Sequence, residues 1–131
     1  MKILYVEDND DNIYMLKNRL SRAGFTVLIA TSGAQGIAMA TSDKPDLILM
    51  DITLPDIDGE EATRRIKADP ATKGIPIIAV TGWEMGECVE KARRAGCDLV
   101  LVKPCLPETL LAEIQRLLNL PATRPKPIRH S

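Results

Sequence analysis

The chain has 131 residues, of which 45% are hydrophobic and 27% are charged, and its formal net charge is −1. This length suits a single domain, and the hydrophobic fraction excludes a wholly disordered chain. The longest uninterrupted apolar runs have four residues, which excludes a membrane-spanning helix, because such a helix needs about 20 apolar residues.

Charge is distributed unevenly along the chain. Residues 119–131 contain three basic side chains and no acidic one, whereas the remaining residues have a net charge of −4. The body of the protein therefore lacks the positive field typical of nucleic-acid-binding domains. We expect no direct contact with nucleic acid and none with a membrane. Residues 1–119 are interpreted as the folded domain, and residues 120–131 as a proline-bearing, basic, disordered tail.

The three cysteines and the single histidine, His130, do not have the spacing of a zinc site. The acidic pair Glu7 and Asp8 lies close to the N-terminus, which is not the pattern of a secretory signal peptide. We therefore expect reduced thiols and a cytoplasmic location.

Short apolar runs alternate with segments of helical period through the first half of the chain. Residues 2–6 form an apolar run typical of a buried strand, and residues 10–23 repeat apolar side chains at helical spacing. Residues 25–30 alternate like a half-buried strand. A serine at the start of residues 32–40 suits the N-cap of a second helix, and residues 46–50 form the third predicted strand.

The second half of the chain repeats this alternation. Residues 58–68 begin with two carboxylates at capping-box spacing and are predicted to be a helix, and residues 75–81 are a fourth strand. Residues 85–95 are the weakest predicted helix, because a glycine lies near their start. Residues 99–102 are a fifth strand, and a last helix begins at Pro107, since proline suits the first helical turn.

This order of elements is a (βα)5 pattern. Strands that alternate with helices predict an α/β fold with a doubly wound, five-stranded parallel sheet covered on both faces. We expect the flavodoxin-like strand order 2-1-3-4-5. In such a sheet, ligands bind beyond the carboxyl ends of the strands, so the residues that follow the strands are the candidates for chemistry.

Four of the five strands deliver a charged or hydroxyl side chain to that edge. In chain order these residues are Glu7, Asp8, Asp51, Thr81 and Lys103. Three crowded carboxylates repel each other unless they are protonated or bind a cation, and oxygen ligands without histidine or cysteine favour Mg²⁺. A lysine and a hydroxyl opposite the acids suit a phosphoryl group. The pattern therefore favours phosphoryl transfer, with Asp51 as the nucleophile.

A purely structural interpretation of these residues stays open at this point. The acidic residues of segment 7–11 would also favour the positive end of the first helix. An aspartate after a strand is often a helix cap, and a lysine before a proline is often part of a solvated turn. The convergence of all these groups at one edge of the sheet favours the chemical interpretation.

Four motifs resemble those of the response-regulator receiver domain of two-component signalling, a CheY-like family. They are VEDND (residues 6–10), LILMDITLPDIDG (47–59), IIAVTG (77–82) and VLVKP (100–104). The resemblance covers about residues 2–119. It implies that Asp51 accepts a phosphoryl group from a phosphohistidine of a sensor histidine kinase or a histidine phosphotransfer protein. The signal would then leave by contact with a downstream protein target or by onward phosphotransfer.

The resemblance also implies individual roles. Thr81 would be the hydroxyl that turns towards the phosphoryl group, and Lys103 would bind one of its oxygens. The protein would be an enzyme only in that it promotes phosphorylation and dephosphorylation of its own Asp51. The implied Mg²⁺ ligands are Glu7, Asp8, Asp51 and the main-chain carbonyl of Thr53.

Some positions depart from the family pattern, among them Val100, Trp83, Thr53 and Cys105. Val100 stands where the family usually has an aromatic residue, so we hypothesise that the switch acts through the loop after Thr81 and the helix at residues 85–95. Trp83 lies two residues past Thr81. It either shields the acyl phosphate from water or packs on the fourth helix.

Three other functions are alternatives to this one. A flavodoxin-like FMN carrier would need a Ser/Thr-rich phosphate loop after the first strand, where this chain has the acidic segment 7–12. A phosphatase with an aspartyl nucleophile would need a second aspartate at the position of Thr53. A receiver-fold interaction module that never needs phosphate remains an alternative, although the complete set of Asp8, Asp51, Thr81 and Lys103 argues for the chemistry.

Overall fold

The structure, a computed structural model, describes residues 1–52, 59–81, 86–102 and 107–118. Strands and helices alternate through these residues. The strands are β1 Lys2–Val6, β2 Thr26–Ala30, β3 Leu47–Asp51, β4 Ile77–Thr81 and β5 Leu99–Val102. The helices are α1 Asp10–Arg22, α2 Gly33–Asp43, α3 Gly59–Ala68, α4 Gly86–Ala95 and α5 Pro107–Leu117.

The five strands pair in parallel in one sheet with the order β2-β1-β3-β4-β5. The predicted fold class and strand order are therefore confirmed. β1 and β3 are neighbours near the middle of the sheet, and Val6 of β1 lies opposite Met50 of β3. Because of this register, the residues that follow Val6 and Met50 leave the sheet side by side.

Helices cover both faces of the sheet, and alternate residues of each strand enter different cores. None of the described helices is long and apolar enough to cross a membrane. The core on the side of α1 and α5 contains Ile3, Tyr5, Leu16, Leu20, Phe25, Leu47, Leu49, Ile78, Val80, Leu110 and Ile114. The core on the side of α2 and α3 contains Leu4, Val6, Ala30, Ala40, Ile48, Met50, Ala62, Ile66 and Ile77.

Local sequence signals explain the ends of the first two helices. Asn9 is the N-cap of α1, and its side chain accepts a hydrogen bond of 2.9 Å from the amide of Asn12. Ser32 is the N-cap of α2, as predicted, and accepts a hydrogen bond of 3.1 Å from the amide of Gln35. After α1 the chain turns at Gly24, whose φ of 99° favours glycine because it has no Cβ.

Two predicted boundaries differ from the structure by a few residues. The helix predicted to end near residue 40 continues to Asp43. Its last turn contains a threonine and a serine, which are weak helix formers, so the sequence gives little sign that the helix continues. The strand predicted from residue 75 begins at Ile77, because the amide of Ile75 donates to the carbonyl of Thr72 in a turn. The predicted tail at residues 120–131 lies outside the described residues.

Candidate functional site

Glu7 and Asp51 are two acidic residues at the carboxyl edge of the sheet. Glu7 directly follows β1 and continues its hydrogen bonding to β2, since its amide donates to the carbonyl of Ala30 at 2.9 Å. Asp51 is the last residue of β3 and pairs with Val80 of β4. Both are buried, with relative exposures of only 2% for Glu7 and 5% for Asp51. Buried carboxylates are costly unless other groups stabilise them, so this pair indicates a functional site.

Asp8 completes a cluster of three carboxylates. One carboxylate oxygen from each of Glu7, Asp8 and Asp51 lies within 4.8 Å of the others, and Asp8 is exposed to solvent. Three negative charges at this separation repel each other, and a divalent cation among them would remove the repulsion. The donors are oxygens only, which suits Mg²⁺ better than zinc or copper. The three residues present therefore fit the predicted Mg²⁺ site.

The structural interpretation of the acidic segment accounts for only part of it. Asp10 and Asp11 lie in the first turn of α1, are exposed, and favour the positive end of the helix. Glu7 and Asp8 precede the helix and its N-cap Asn9. Glu7 and Asp8 face Asp51, so helix capping does not explain them.

Tyr5 is a site residue that the sequence interpretation missed. Its hydroxyl donates a hydrogen bond of 3.1 Å to Oε1 of Glu7, and the amide of Asn9 donates one of 3.3 Å to Oε2. Burial, followed by the charges of Glu7 and Asp51, raises the pKa of the Tyr5 phenol far above its usual range. Tyr5 lies in an apolar strand run, and this pattern gives no sign that its hydroxyl has a role at the site. The available signal was its position two residues before Glu7, on the same face of the strand.

Gly59, the first residue of α3, fixes the backbone on the other side of Asp51. Its amide donates to the carbonyl of Ile52 at 2.8 Å, and the amide of Ile52 donates to the carbonyl of Val80 at 3.1 Å. A Cβ at Gly59 would overlap the main-chain oxygen of Asp51 and come within 2.6 Å of the Cα of Ile52. Only glycine therefore allows α3 to begin so close to Asp51.

Comparison with known proteins places this arrangement in a family. The response regulator receiver domain matches residues 3–115. This chain belongs to that family. The chain is similar to Protein PilH of Pseudomonas aeruginosa, with 38% identity over 117 residues that cover 89% of this chain and 97% of PilH. It is also similar to the polar-differentiation response regulator DivK of Brucella ovis, with 36% identity over 102 residues, or 78% of this chain and 83% of DivK.

Solved structures of other receiver domains are similar to this one. The receiver domain of the sensor histidine kinase PA1611 of Pseudomonas aeruginosa has a magnesium ion coordinated in its active site cleft; it is 35% identical, with a TM-score of 0.85, and the match covers 90% of this chain and 97% of that one. A putative response regulator from Chloroflexus aurantiacus is 30% identical, with a TM-score of 0.86 and coverage of 90% and 97%. Family membership favours the receiver interpretation over the flavin carrier and the phosphatase.

The remaining predicted site residues of this receiver domain are described only in part. Thr81 ends β4, one residue past the partner of Asp51, but its side chain lies outside the described part of the chain. Lys103, Thr53 and Trp83 lie outside the described residues as well. The structure thus brings together Glu7, Asp8 and Asp51, and the roles of the other four residues stay predictions.

Proposed function

We propose that this receiver domain is a phosphorylation-dependent signalling switch in which Asp51 accepts the phosphoryl group. The proposal depends on one observation above all. The buried carboxylate of Asp51 lies at the carboxyl edge of the sheet, within 4.8 Å of oxygens of Glu7 and Asp8. A carboxylate in this place lies beside an acidic cluster that suits a cation.

The proposed reaction is an in-line displacement at phosphorus. A carboxylate oxygen of Asp51 attacks the phosphorus of a phosphohistidine, the new P–O bond forms, and the P–N bond breaks. The electron pair of the broken bond stays on the donor imidazole, which then takes a proton from solvent. In dephosphorylation, water attacks the phosphorus, releasing inorganic phosphate and restoring the Asp51 carboxylate.

Glu7, Asp8 and Asp51 would hold Mg²⁺, together with the main-chain carbonyl of Thr53. When bound, the cation offsets the negative charge that the incoming phosphoryl group adds to the site. The protein contributes the placement of these ligands. The hydrogen bonds from Tyr5 and from the amide of Asn9 hold Glu7, and the beginning of α3 at Gly59 holds the backbone after Asp51.

Thr81 and Lys103 would act on the phosphoryl group itself. Thr81 is the last residue of β4, which pairs with β3, and Lys103 comes directly after β5 in the chain. The rule that the carboxyl ends of parallel strands meet at one edge of the sheet supports assigning both residues to the edge that holds Asp51. Lys103 would bind a phosphoryl oxygen through its ammonium group. Thr81 would donate its hydroxyl to another oxygen, and its movement would carry the change to the loop after Thr81 and to α4. Trp83 would shield the acyl phosphate from water.

The proposed partners follow from this chemistry. The donor would be a sensor histidine kinase or a histidine phosphotransfer protein, and the output would be contact with a downstream protein or onward phosphotransfer. We place the protein in the cytoplasm, without direct contact to nucleic acid. Its catalysis would be limited to phosphorylation and dephosphorylation of its own Asp51. The alternative function is a receiver-fold interaction module that does not use phosphate.

Intact-protein mass spectrometry would test the proposal. The protein is incubated with a small acyl-phosphate donor, with and without Mg²⁺. We expect the mass of one phosphoryl group to be added only when Mg²⁺ is present. The addition should be lost in Asp51→Asn and kept in Asp11→Asn, which removes an exposed acid of α1. A folded wild-type protein that gains no mass and binds no Mg²⁺ would favour the phosphate-independent module instead.

A further inference from the structure

Tyr5 combines an apolar environment with a hydrogen bond to Glu7. Its ring belongs to the core on the side of α1 and α5, among residues such as Leu49 and Val80, and only 6% of the residue is exposed. Its hydroxyl donates to Oε1 of Glu7 at 3.1 Å. A phenylalanine would fill the same apolar space. A buried hydroxyl is costly without a partner. The hydrogen bond to Glu7 therefore explains how a tyrosine can take the place of a phenylalanine here.

The sheet geometry explains why Tyr5 reaches this carboxylate. Residues two apart in a strand point to the same face, so Tyr5 and Glu7 lie on one face of β1. Tyr5 lies opposite Leu49 of β3, and the same two-residue step along β3 leads from Leu49 to Asp51. The side chain of Tyr5 is therefore on the same face of the sheet as Glu7 and Asp51, two residues further from the carboxyl edge.

Glu7 needs such support more than an aspartate would. A glutamate side chain has one more rotatable bond than an aspartate, so more orientations of its carboxylate must be excluded. In this structure the two oxygens of Glu7 are held separately, Oε1 by the hydroxyl of Tyr5 and Oε2 by the amide of Asn9. The Asn9 contact is set by the start of α1, whereas the Tyr5 contact comes from the core.

We propose that Tyr5 is a positioning residue that holds the carboxylate of Glu7 in the orientation needed for Mg²⁺ binding. This inference rests on the proposed function, which supplies the cation. The hydroxyl of Tyr5 donates to Glu7, and in this proposal Tyr5 acts through Glu7. Residues that orient metal ligands in this way typically change metal affinity by about 10–100-fold when they are replaced.

The test measures Mg²⁺ binding by isothermal titration calorimetry, using the full chain without any phosphoryl donor. We expect Tyr5→Phe to raise the dissociation constant for Mg²⁺ about tenfold. Tyr14→Phe is the matched control, since Tyr14 is the other tyrosine of the chain and is 73% exposed on α1. The control should bind Mg²⁺ like the wild type. An unchanged dissociation constant in Tyr5→Phe would overturn the inference and leave the switch proposal standing.

A second variant separates positioning from a general effect on the fold. Glu7→Asp keeps a carboxylate but shortens the side chain by one methylene group, so it withdraws the oxygen from the Tyr5 hydroxyl. In the Glu7→Asp background, Tyr5→Phe should therefore leave the Mg²⁺ dissociation constant unchanged. An equal loss of affinity in both backgrounds would mean that Tyr5 acts through the core and not through Glu7, which overturns the inference. A wild-type protein that binds no Mg²⁺ would overturn the metal part of the proposed function and this inference with it.

Discussion

Lys67 on α3 and Asp98, the residue before β5, form an ion pair with a distance of 3.0 Å. The Nζ of Lys67 also donates to the main-chain carbonyls of Lys73 at 3.2 Å and Ile75 at 2.8 Å. The same oxygen of Asp98 accepts a hydrogen bond of 2.8 Å from the amide of Ile77 at the start of β4. This pair therefore joins α3, the turn before β4 and the start of β5.

Replacing Lys67 with methionine should destabilise the fold. The side chain of Lys67 is only 17% exposed, and its loss removes a donor from two carbonyls and from Asp98. We expect the free energy of unfolding to fall by about 1–3 kcal/mol, measured by urea denaturation. Lys17→Met, at an exposed position of α1, is the control and should have little effect. Equal effects of the two variants would mean that the network of Lys67 adds nothing to stability.

Gly59→Ala should damage both the fold and the candidate site. The added Cβ would overlap the main-chain oxygen of Asp51, so α3 or the end of β3 has to move. Such overpacking costs about 1–3 kcal/mol of the free energy of unfolding, and the displaced Asp51 should bind Mg²⁺ more weakly. Gly74→Ala is the matched control, because a Cβ at Gly74 meets no atom within 4 Å. Urea denaturation and calorimetric Mg²⁺ titration measure the two effects, and a Gly59→Ala protein that behaves like Gly74→Ala contradicts the account.

Asp51→Asn should stabilise the protein when Mg²⁺ is absent. The change removes one of three negative charges whose oxygens lie within 4.8 Å of each other. The relief of repulsion should raise the free energy of unfolding by about 1–3 kcal/mol. In the wild type, Mg²⁺ at one hundred times its dissociation constant should add about 2.7 kcal/mol, and the variant should gain much less.

Denaturation with a chelator and with excess Mg²⁺ measures both differences. Asp11→Asn serves as the control, since Asp11 is exposed in the first turn of α1. A metal-free Asp51→Asn protein that is less stable than the wild type would mean that Asp51 stabilises the fold through contacts that outweigh the repulsion.

The three carboxylates of the candidate site could be predicted from the sequence because their proximity follows from the order of strands and helices. Once five short apolar runs alternate with helical segments, the carboxyl ends of the strands have to meet at one edge. Glu7 and Asp8 follow one run, and Asp51 ends another. Their proximity follows from the neighbouring positions of β1 and β3, without any knowledge of side-chain contacts.

Tyr5 and Lys67 could not be predicted in the same way. Tyr5 satisfies the apolar pattern of a buried strand, so the pattern gives no sign that its hydroxyl has a separate role. Lys67 looks like an ordinary exposed residue of an amphipathic helix, and its partner Asp98 lies 31 residues away in the chain. Contacts of this kind depend on how α3 packs against the turn before β4 and the start of β5, and periodicity does not encode that packing.

Cys97 should be a slow nucleophile near neutral pH. Burial, with a smaller contribution from the charge of Asp98, raises the pKa of its thiol. The thiolate is the reactive form, so a raised pKa leaves a smaller reactive fraction at neutral pH and moves the rise of the alkylation rate to higher pH. Restricted access alone would slow the reaction equally at every pH, so the midpoint of the pH profile reports the pKa.

The measurement is the iodoacetamide alkylation rate of Cys97 as a function of pH, in a Cys88→Ser, Cys105→Ser background. In denaturant, the midpoint should lie near the ordinary thiol pKa of about 8.5, and in the native protein it should lie above that value. Asp98→Asn should lower the native midpoint only in part, because burial is the larger cause. A native midpoint at or below the denatured one would mean that the influences that lower the thiol pKa, the charge of Arg93 and the backbone hydrogen bonds of Cys97 and Leu99, outweigh both burial and Asp98.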